Sequence, residues 1–145
     1  MQVVVQRVSE ARVEVSGQVV GEIGVGLVAL VGIAAGDDES ALEWMARKVA
    51  ALRVFPDDDG RFDRSVVDVG GSILSVSQFT LLGDVRKGTR PSFTKAAHPD
   101  EAEPMWDRFN ELVRAQGVQV ETGVFGASMQ VALVNDGPVT IQLER

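Results

Sequence analysis

The chain has 145 residues, 45% of them hydrophobic and 24% charged, which suits one globular domain whose core needs neither disulfides nor a metal. It has no cysteine and a single histidine, His98, so disulfides, thiolate nucleophiles, zinc fingers and iron–sulfur clusters are excluded and a transition-metal site is not expected. Fourteen Lys and Arg against 21 Asp and Glu leave a net charge of −7, which excludes a broadly basic nucleic-acid coat and leaves room only for a local basic patch.

The opening residues lack the basic start and apolar stretch of a signal peptide, and the longest apolar run, Val25–Ala35, spans about half a bilayer. A cytoplasmic location without membrane association is expected. Residues 3–8 alternate as a strand, with Val3, Val5 and Arg7 on one face. Ala11–Val15 is a second stretch, and Ser16-Gly17-Gln18 reads as a hairpin turn into Val19–Ile23. Val25–Ala35 is a central strand buried on both faces. Over Asp37–Leu52 the period becomes helical, with Leu42, Met45, Ala46, Val49 and Leu52 on one face and Ser40-x-x-Glu43 as a capping box.

An acidic turn follows at Pro56–Gly60, then an apolar β-rich run over Ser72–Leu82. The polar stretch Gly83–Pro99 is too long for an idle connection. A second helix starts at Pro99 or Asp100, buries Ala102, Met105, Trp106, Phe109, Leu112 and Val113, and ends at a C′ glycine, Gly117. Strands near 118–122, 128–134 and 139–143 close the chain. Two helices between groups of hairpin-joined strands indicate an α+β fold, a single domain over residues 1–145 with a mainly antiparallel, curved, barrel-like sheet.

Several chemistries fail on inventory. A Ser-His-Asp triad would need His98, which precedes Pro99 and reads as a solvated loop residue. The acidic turn Asp57-Asp58-Asp59-Gly60 has adjacent carboxylates and no downstream glutamate, so it is no calcium loop. The glycines of Gly21–Gly26 form no dinucleotide fingerprint.

Three segments stand out. Ser77-Gln78-Phe79-Thr80 puts polar groups late in an apolar strand, where they need partners or a purpose unless the strand end is half exposed. Asn135-Asp136-Gly137-Pro138 reads as a turn between two strands, and Gly-Pro can adopt the cis form. Val85–Ala97 carries Arg86, Lys87, Arg90 and Lys95 with no acidic residue, a local inversion of charge that suits phosphate contact or a solvated loop. Arg7, sharing a face with Val3 and Val5, must be paired or hydrogen-bonded to carbonyls if that face is buried.

Together these segments resemble the D-aminoacyl-tRNA deacylase family over the whole chain. Ser77-Gln78-Phe79-Thr80-Leu81 and Asn135-Asp136-Gly137-Pro138-Val139-Thr140 are the specific pieces, supported by Gly88-Thr89-Arg90-Pro91-Ser92-Phe93 and Ala127-Ser128-Met129-Gln130-Val131. The resemblance implies that family's fold, two helices packed on the curved sheet. It also implies a homodimer that hydrolyses the ester between a D-amino acid, or glycine, and the 3′ end of tRNA while rejecting L-aminoacyl-tRNA. By the same resemblance Ser77, Gln78, Phe79 and Thr80 line the catalytic pocket and Met129 borders it. Gly137-Pro138 is cis and reaches into the partner subunit's site to hold the substrate amino group, with Arg7 fixing it. No metal or organic cofactor is implied. Arg86, Lys87, Arg90 and Lys95 are the candidate RNA contacts.

No strong general base accompanies these residues, so catalysis has to rest on positioning and oxyanion stabilisation. The substrate's own 2′-hydroxyl is preferred over Thr80 as the group that assists, since an unassisted threonine is a poor nucleophile. Two rivals stay open: a non-catalytic dimeric module that binds a small ligand, and an RNA-independent esterase for D-amino-acid derivatives.

Overall fold

The computed structural model describes residues 1–145. Strands β1 (Gln2–Val15) and β2 (Gln18–Ile23) form the expected hairpin. Its two turn residues, Ser16 and Gly17, have φ of 51° and 80°, the left-handed pair that matches the twist of the flanking strands. Strand β3 (Gly26–Gly32) runs antiparallel to β1 from Gln2↔Gly32 to Val8↔Gly26, and its residues are buried on both faces except for partly exposed Leu30.

Helix α1 (Glu39–Ala50) begins one residue before Ser40. The cap is Asp38 and not the expected Ser40: the Asp38 carboxylate accepts from the Ala41 N–H at 2.9 Å and from the Ser40 hydroxyl at 2.8 Å. A carboxylate at the N-cap satisfies a free N–H and favours the positive helix end at once, so it displaces the serine from that role. The same bonds, that from Ser40 first, hold the Asp38 carboxyl below the usual carboxylate range.

Strands β4 (Phe55–Pro56) and β5 (Phe62–Arg64) pair across the acidic turn. Asp57 closes that turn by accepting from the N–H groups of Asp59 and Arg61 at 2.9 and 2.8 Å, so its carboxylate is already engaged. Strand β6 (Ser72–Ser77) lies parallel to β3, and β7 (Gln119–Thr122) lies parallel to β6. The sheet is therefore mixed, with two parallel pairings beside the antiparallel ones that were expected to dominate. The cause is connectivity: α1 intervenes between β3 and β6, and helix α2 (Pro99–Arg114) between β6 and β7, and a helical crossover returns the chain in the same direction. Gly117, with φ of 85°, stops α2 two residues beyond its C-cap Ala115, one place later than expected.

The last strand, β8 (Gln130–Glu144), runs antiparallel to β1 over almost its whole length. Both helices cover one face of the sheet, where Val3, Val5, Leu27, Ala29 and Val31 pack on Leu42, Met45, Trp106 and Phe109. A second cluster, including Val8, Val13, Val28, Leu74 and Val76, fills the inside of the curl. Gly21 of β2 lets the curl nearly close: a Cβ there would lie 2.5 Å from the Thr122 carbonyl oxygen of β7.

One buried polar residue is anomalous. Asn110 on α2 is 2% exposed, and neither atom of its amide has a hydrogen-bond partner. An unsatisfied buried amide costs about 1–3 kcal/mol. Asn110→Leu, which has the same branching and number of heavy atoms, is expected to raise the thermal midpoint by roughly 2–4 °C per kcal/mol recovered. A lowered midpoint in a melting experiment would show that the amide is satisfied in solution.

Candidate active site

Strand β6 ends at Ser77 because the chain turns under itself. The Gln78 N–H still bonds the Val31 carbonyl of β3 at 2.7 Å, after which Phe79–Leu82 wind into a 3-10 turn. The segment Ser77–Thr80 is therefore not late strand, as its composition suggested, but a strand-to-turn junction. Gly32 makes the close approach possible, since a Cβ there would lie 3.1 Å from the Gln78 carbonyl oxygen. The first bond of the turn runs from the Leu81 N–H to the Gln78 carbonyl at 3.2 Å, which leaves the N–H groups of Phe79 and Thr80 ahead of its ladder.

This junction forms the floor of a cleft of about 620 Å³. Ser77, Gln78 and Phe79 line it from β6 and the turn, Phe93, Ala97, His98 and Pro99 from the entry to α2, and Phe125, Met129 and Val131 from the approach to β8. Phe79, 54% exposed, meets Phe93 edge to face with ring centroids 4.9 Å apart. The Met129 thioether has its place because residue 123 is glycine: a Cβ on Gly123 would lie 2.7 Å from the sulfur. Thr80 is exposed, does not line the cleft, and its hydroxyl accepts a hydrogen bond from the Gln78 amide.

No aspartate, glutamate, lysine or arginine lines the cleft; His98 is its one titratable side chain. That ring is largely exposed, with Nδ1 3.3 Å from an Asp100 carboxylate oxygen. No group of three or more His, Cys, Asp or Glu is placed to hold a metal ion.

The Asn135–Pro138 segment is not the turn between two strands that its residues suggest. It is a bulge within one strand. Thr140 pairs with Gln6 and Asn135 with Val8, so five steps along β8 answer two along β1, an excess of three residues. The excess is extruded with Gly137-Pro138 in the cis form. Facing it on β1 is Arg7, only 8% exposed. Its Nε donates to the Asp136 carbonyl at 2.9 Å and lies 3.1 Å from the Asp136 carboxylate, while Nη1 donates to the Val54 carbonyl. The Phe62 ring of β5 covers the guanidinium with its centroid 5.6 Å away. Asn135 ties the bulge from inside, donating to the carbonyls of Arg7 at 2.9 Å and Val139 at 3.2 Å. A Cβ on residue 137 would lie 2.3 Å from the Asn135 amide oxygen, so a side chain there would push aside the amide that ties the bulge.

The structure thus separates the expected site residues into two groups. Ser77, Gln78, Phe79 and Met129 share the cleft, whereas Arg7, Gly137 and Pro138 form a rigid projection that contributes nothing to the cleft of the same chain. The basic stretch also divides. Asp84, one residue before it, binds the Arg86 guanidinium and backbone N–H, which hold the Asp84 carboxyl well below the usual range. Arg86 is thereby neutralised, while Lys87, Arg90 and Lys95 form no ion pair. Phe93, Phe125 and Gly123 were given no role from sequence, and Asn135, though it opens one of the segments singled out, was given none of its own. Phe93 also lies in a quoted segment, whereas Phe125 and Gly123 acquire their places only from tertiary closure.

The profile of the D-Tyr-tRNA(Tyr) deacylase family matches residues 4–144. A D-aminoacyl-tRNA deacylase of Thermomicrobium roseum is 62% identical over 144 residues, covering 99% of this chain and 94% of its own. The protein of the same name from Thermus aquaticus is 56% identical, with 99% and 95% covered. A solved structure described as c-Myc DNA Unwinding Element Binding Protein superposes with a TM-score of 0.94 at 44% identity, covering 100% of this chain and 99% of its own. A second, described as a probable eukaryotic D-amino acid tRNA deacylase, has a TM-score of 0.84 at 20% identity with 98% and 97% covered, and shows the shared fold. With the profile running through both the strand-to-turn junction and the bulge of β8, the chain belongs to the D-Tyr-tRNA(Tyr) deacylase family.

Proposed function

We infer that this chain, as a single catalytic domain, hydrolyses the ester that joins a D-amino acid or glycine to the 3′-terminal ribose of tRNA. Its work is in the cytoplasm, where charged tRNA is made and used. Water adds to the ester carbonyl, the bond from carbonyl carbon to ribose oxygen breaks, and the proton passes to that oxygen, giving free tRNA and the amino acid.

The observation that carries the chemistry is the make-up of the cleft, whose one titratable side chain is the largely exposed His98. With no carboxylate or amine on its walls, it offers no strong base, so rate has to come from holding the ester and stabilising the oxyanion. The Phe79 N–H, ahead of the 3-10 ladder and on the wall of the cleft, is the donor for that oxyanion. The 2′-hydroxyl beside the ester is the group that assists water. The Thr80 hydroxyl, already accepting from Gln78, is not the nucleophile. No metal or organic cofactor takes part.

Stereochemistry is assigned to the Gly137-Pro138 bulge. It stands away from its own cleft, which fits a homodimer in which each bulge enters the partner subunit's cleft. There its carbonyls accept from the amino group that every substrate shares, and its backbone fills the space an L side chain requires, discriminating by exclusion. The unmutated protein is then expected to deacylate D-Tyr-tRNA and Gly-tRNA and to spare L-Tyr-tRNA. A rate on glycine as low as that on L-Tyr would show that the D side chain itself is read.

The bulge is held by contacts that a single methyl group disrupts. Gly137→Ala is expected to lower kcat/KM on D-Tyr-tRNA by about a hundredfold, the scale of an ångström-sized misplacement, with the melting midpoint little changed. Full activity in that variant would remove the bulge from the site.

Binding of the tRNA end is assigned to Lys87, Arg90 and Lys95, with Arg86 held by Asp84. On single-stranded RNA each phosphate contact contributes about 0.7 to the slope of log affinity against log salt. Replacing the three free cations with Ala is expected to flatten that slope, and Arg86→Ala to leave it nearly as it was. A binding titration in which Arg86→Ala has the larger effect would reverse the assignment.

A further inference from the structure

We propose that His98, held by Asp100, is a further catalytic residue: its imidazole Nε2 accepts the hydrogen bond of the substrate's 2′-hydroxyl beside the ester. The proposal rests on the deacylase reading above and names the side chain that engages the hydroxyl assigned there to assist water.

Register brings His98 to the reacting end of the cleft. Strand β6 runs parallel to β3, with Val76 opposite Leu30 and Ser77 opposite Val31, so the next step sets Gln78 opposite Gly32. The segment before α2 enters the same row from the other direction. Ala96 faces Ala34 in an antiparallel bridge. The Ala35 N–H donates to the Lys95 carbonyl at 2.9 Å, and the Ala97 N–H to the Ile33 carbonyl at 3.0 Å. His98 is still extended, with φ of −61° and ψ of 146°, so the row beyond Ala96 carries it to Gly32 as well. The two segments converge on one glycine and both leave the sheet there, Gln78 into the 3-10 turn and His98 into α2. Both line the cleft that opens between them. A residue remote in sequence thus starts beside the junction that carries the Phe79 N–H.

The pair with Asp100 decides what the ring presents. Nδ1 lies 3.3 Å from an Asp100 carboxylate oxygen. A carboxylate only accepts, so it favours the tautomer with the proton on Nδ1 and leaves Nε2 a bare acceptor. No other titratable side chain lines the cleft to compete for that nitrogen. With the ester carbonyl at the Phe79 N–H and the amino group at the bulge, the substrate's remaining donor near the ester is the 2′-hydroxyl, on the adjacent ribose carbon. A hydrogen bond to Nε2 stops that hydroxyl rotating and turns its lone pairs toward the attacking water. No proton has to leave it, so a strong base is not required. The ring is open to solvent in the free chain, which suits a group whose water partner is exchanged for bound substrate.

The test crosses variants with substrates. Kinetics are measured on D-Tyr-tRNA and on the same ester carrying hydrogen in place of the terminal 2′-hydroxyl. His98→Ala is expected to lower kcat on the first by about tenfold or more, the scale of one hydrogen bond made in the transition state, with KM little changed. The slow rate on the second is expected to stay as it was, since the partner of the imidazole is already missing. His98→Gln, whose amide oxygen can stand where Nε2 does, is expected to restore most of the loss. Asp100 is a positioning residue, so Asp100→Asn is expected to lower kcat in the otherwise unmutated chain and to have no effect beside His98→Gln, because an amide has no tautomer to fix.

A rise in KM alone, an equal loss on both substrates, or a further loss from Asp100→Asn beside His98→Gln would overturn the proposal. The reading beneath it fails separately, in the unmutated protein. No turnover of D-Tyr-tRNA there would reject the deacylase, and equal rates on the two substrates would reject the 2′-hydroxyl and with it the role given to His98.

Discussion

The guanidinium of Arg7 is the fixed point around which the unusual part of this fold is arranged. It is a cation in the middle of a strand whose neighbours on the same face, Val3 and Val5, are fully buried. Removing such a charge from water is costly unless its donors are satisfied. Two carbonyls, one carboxylate and one aromatic face satisfy them, supplied by Asp136, Val54 and Phe62. Each of these lies on a different stretch of chain, so one side chain ties the β4–β5 hairpin and the bulge of β8 to β1. The bulge in turn exists because β8 has three residues more than β1 to place between two registered segments. Extra backbone in a strand ordinarily makes a loose loop. Here Arg7 from outside and Asn135 from inside anchor its carbonyls.

That rigidity and the character of the cleft are complementary. A cleft with no carboxylate, amine or guanidinium on its walls has little power to select or activate a substrate by charge. What it offers is shape, low polarity and a few backbone donors, and such a site gains its effect through preorganisation. An aminoacyl ester suits it, being an activated ester whose neighbouring hydroxyl brings a polar group to the reaction. Exclusion by a backbone projection, as proposed for the bulge, is a matching form of selectivity. It needs no recognition of side-chain chemistry, and it works only if the projection cannot yield.

The sequence made the helices and most strands legible because their signals are local. The 3.6-residue spacing from Ala102 to Val113 and the alternation over residues 3–8 are each complete within a short window. The cap of α1 was misplaced because Asp38 and Ser40 are both good capping residues, and which one caps depends on whether the helix starts at residue 39, leaving the Ala41 N–H to Asp38, or two residues later. The end of β6 was hidden for a different reason. Leu81 and Leu82 continue the apolar run, and only the bond from Gln78 to Val31 of a neighbouring strand shows where the ladder stops. The Asn-Asp-Gly-Pro segment carried every residue preference of a hairpin turn. It became a bulge because both of its flanks pair with the same partner strand, a fact that resides in β1.

The charge of the basic stretch shows how far a formal count can mislead. Four cations without an acidic residue between them suggested four contacts for phosphate, yet the counting window began one residue too late. Asp84 forms an antiparallel bridge with Ser92 and takes Arg86 with both carboxylate oxygens. The pair helps shape the loop while cancelling one of its charges. What is left is three cations on a chain whose overall charge repels RNA. Long-range attraction is therefore weak, and it acts only within about a Debye length, roughly 8 Å at physiological salt. On the proposed assignment of the RNA contacts, a protein so charged is held off the body of a nucleic acid and engages it only where the loop can reach. For an enzyme whose reaction lies at the last nucleotide that is an advantage, since product tRNA, which offers the same phosphates but no ester, is not retained by the rest of the surface.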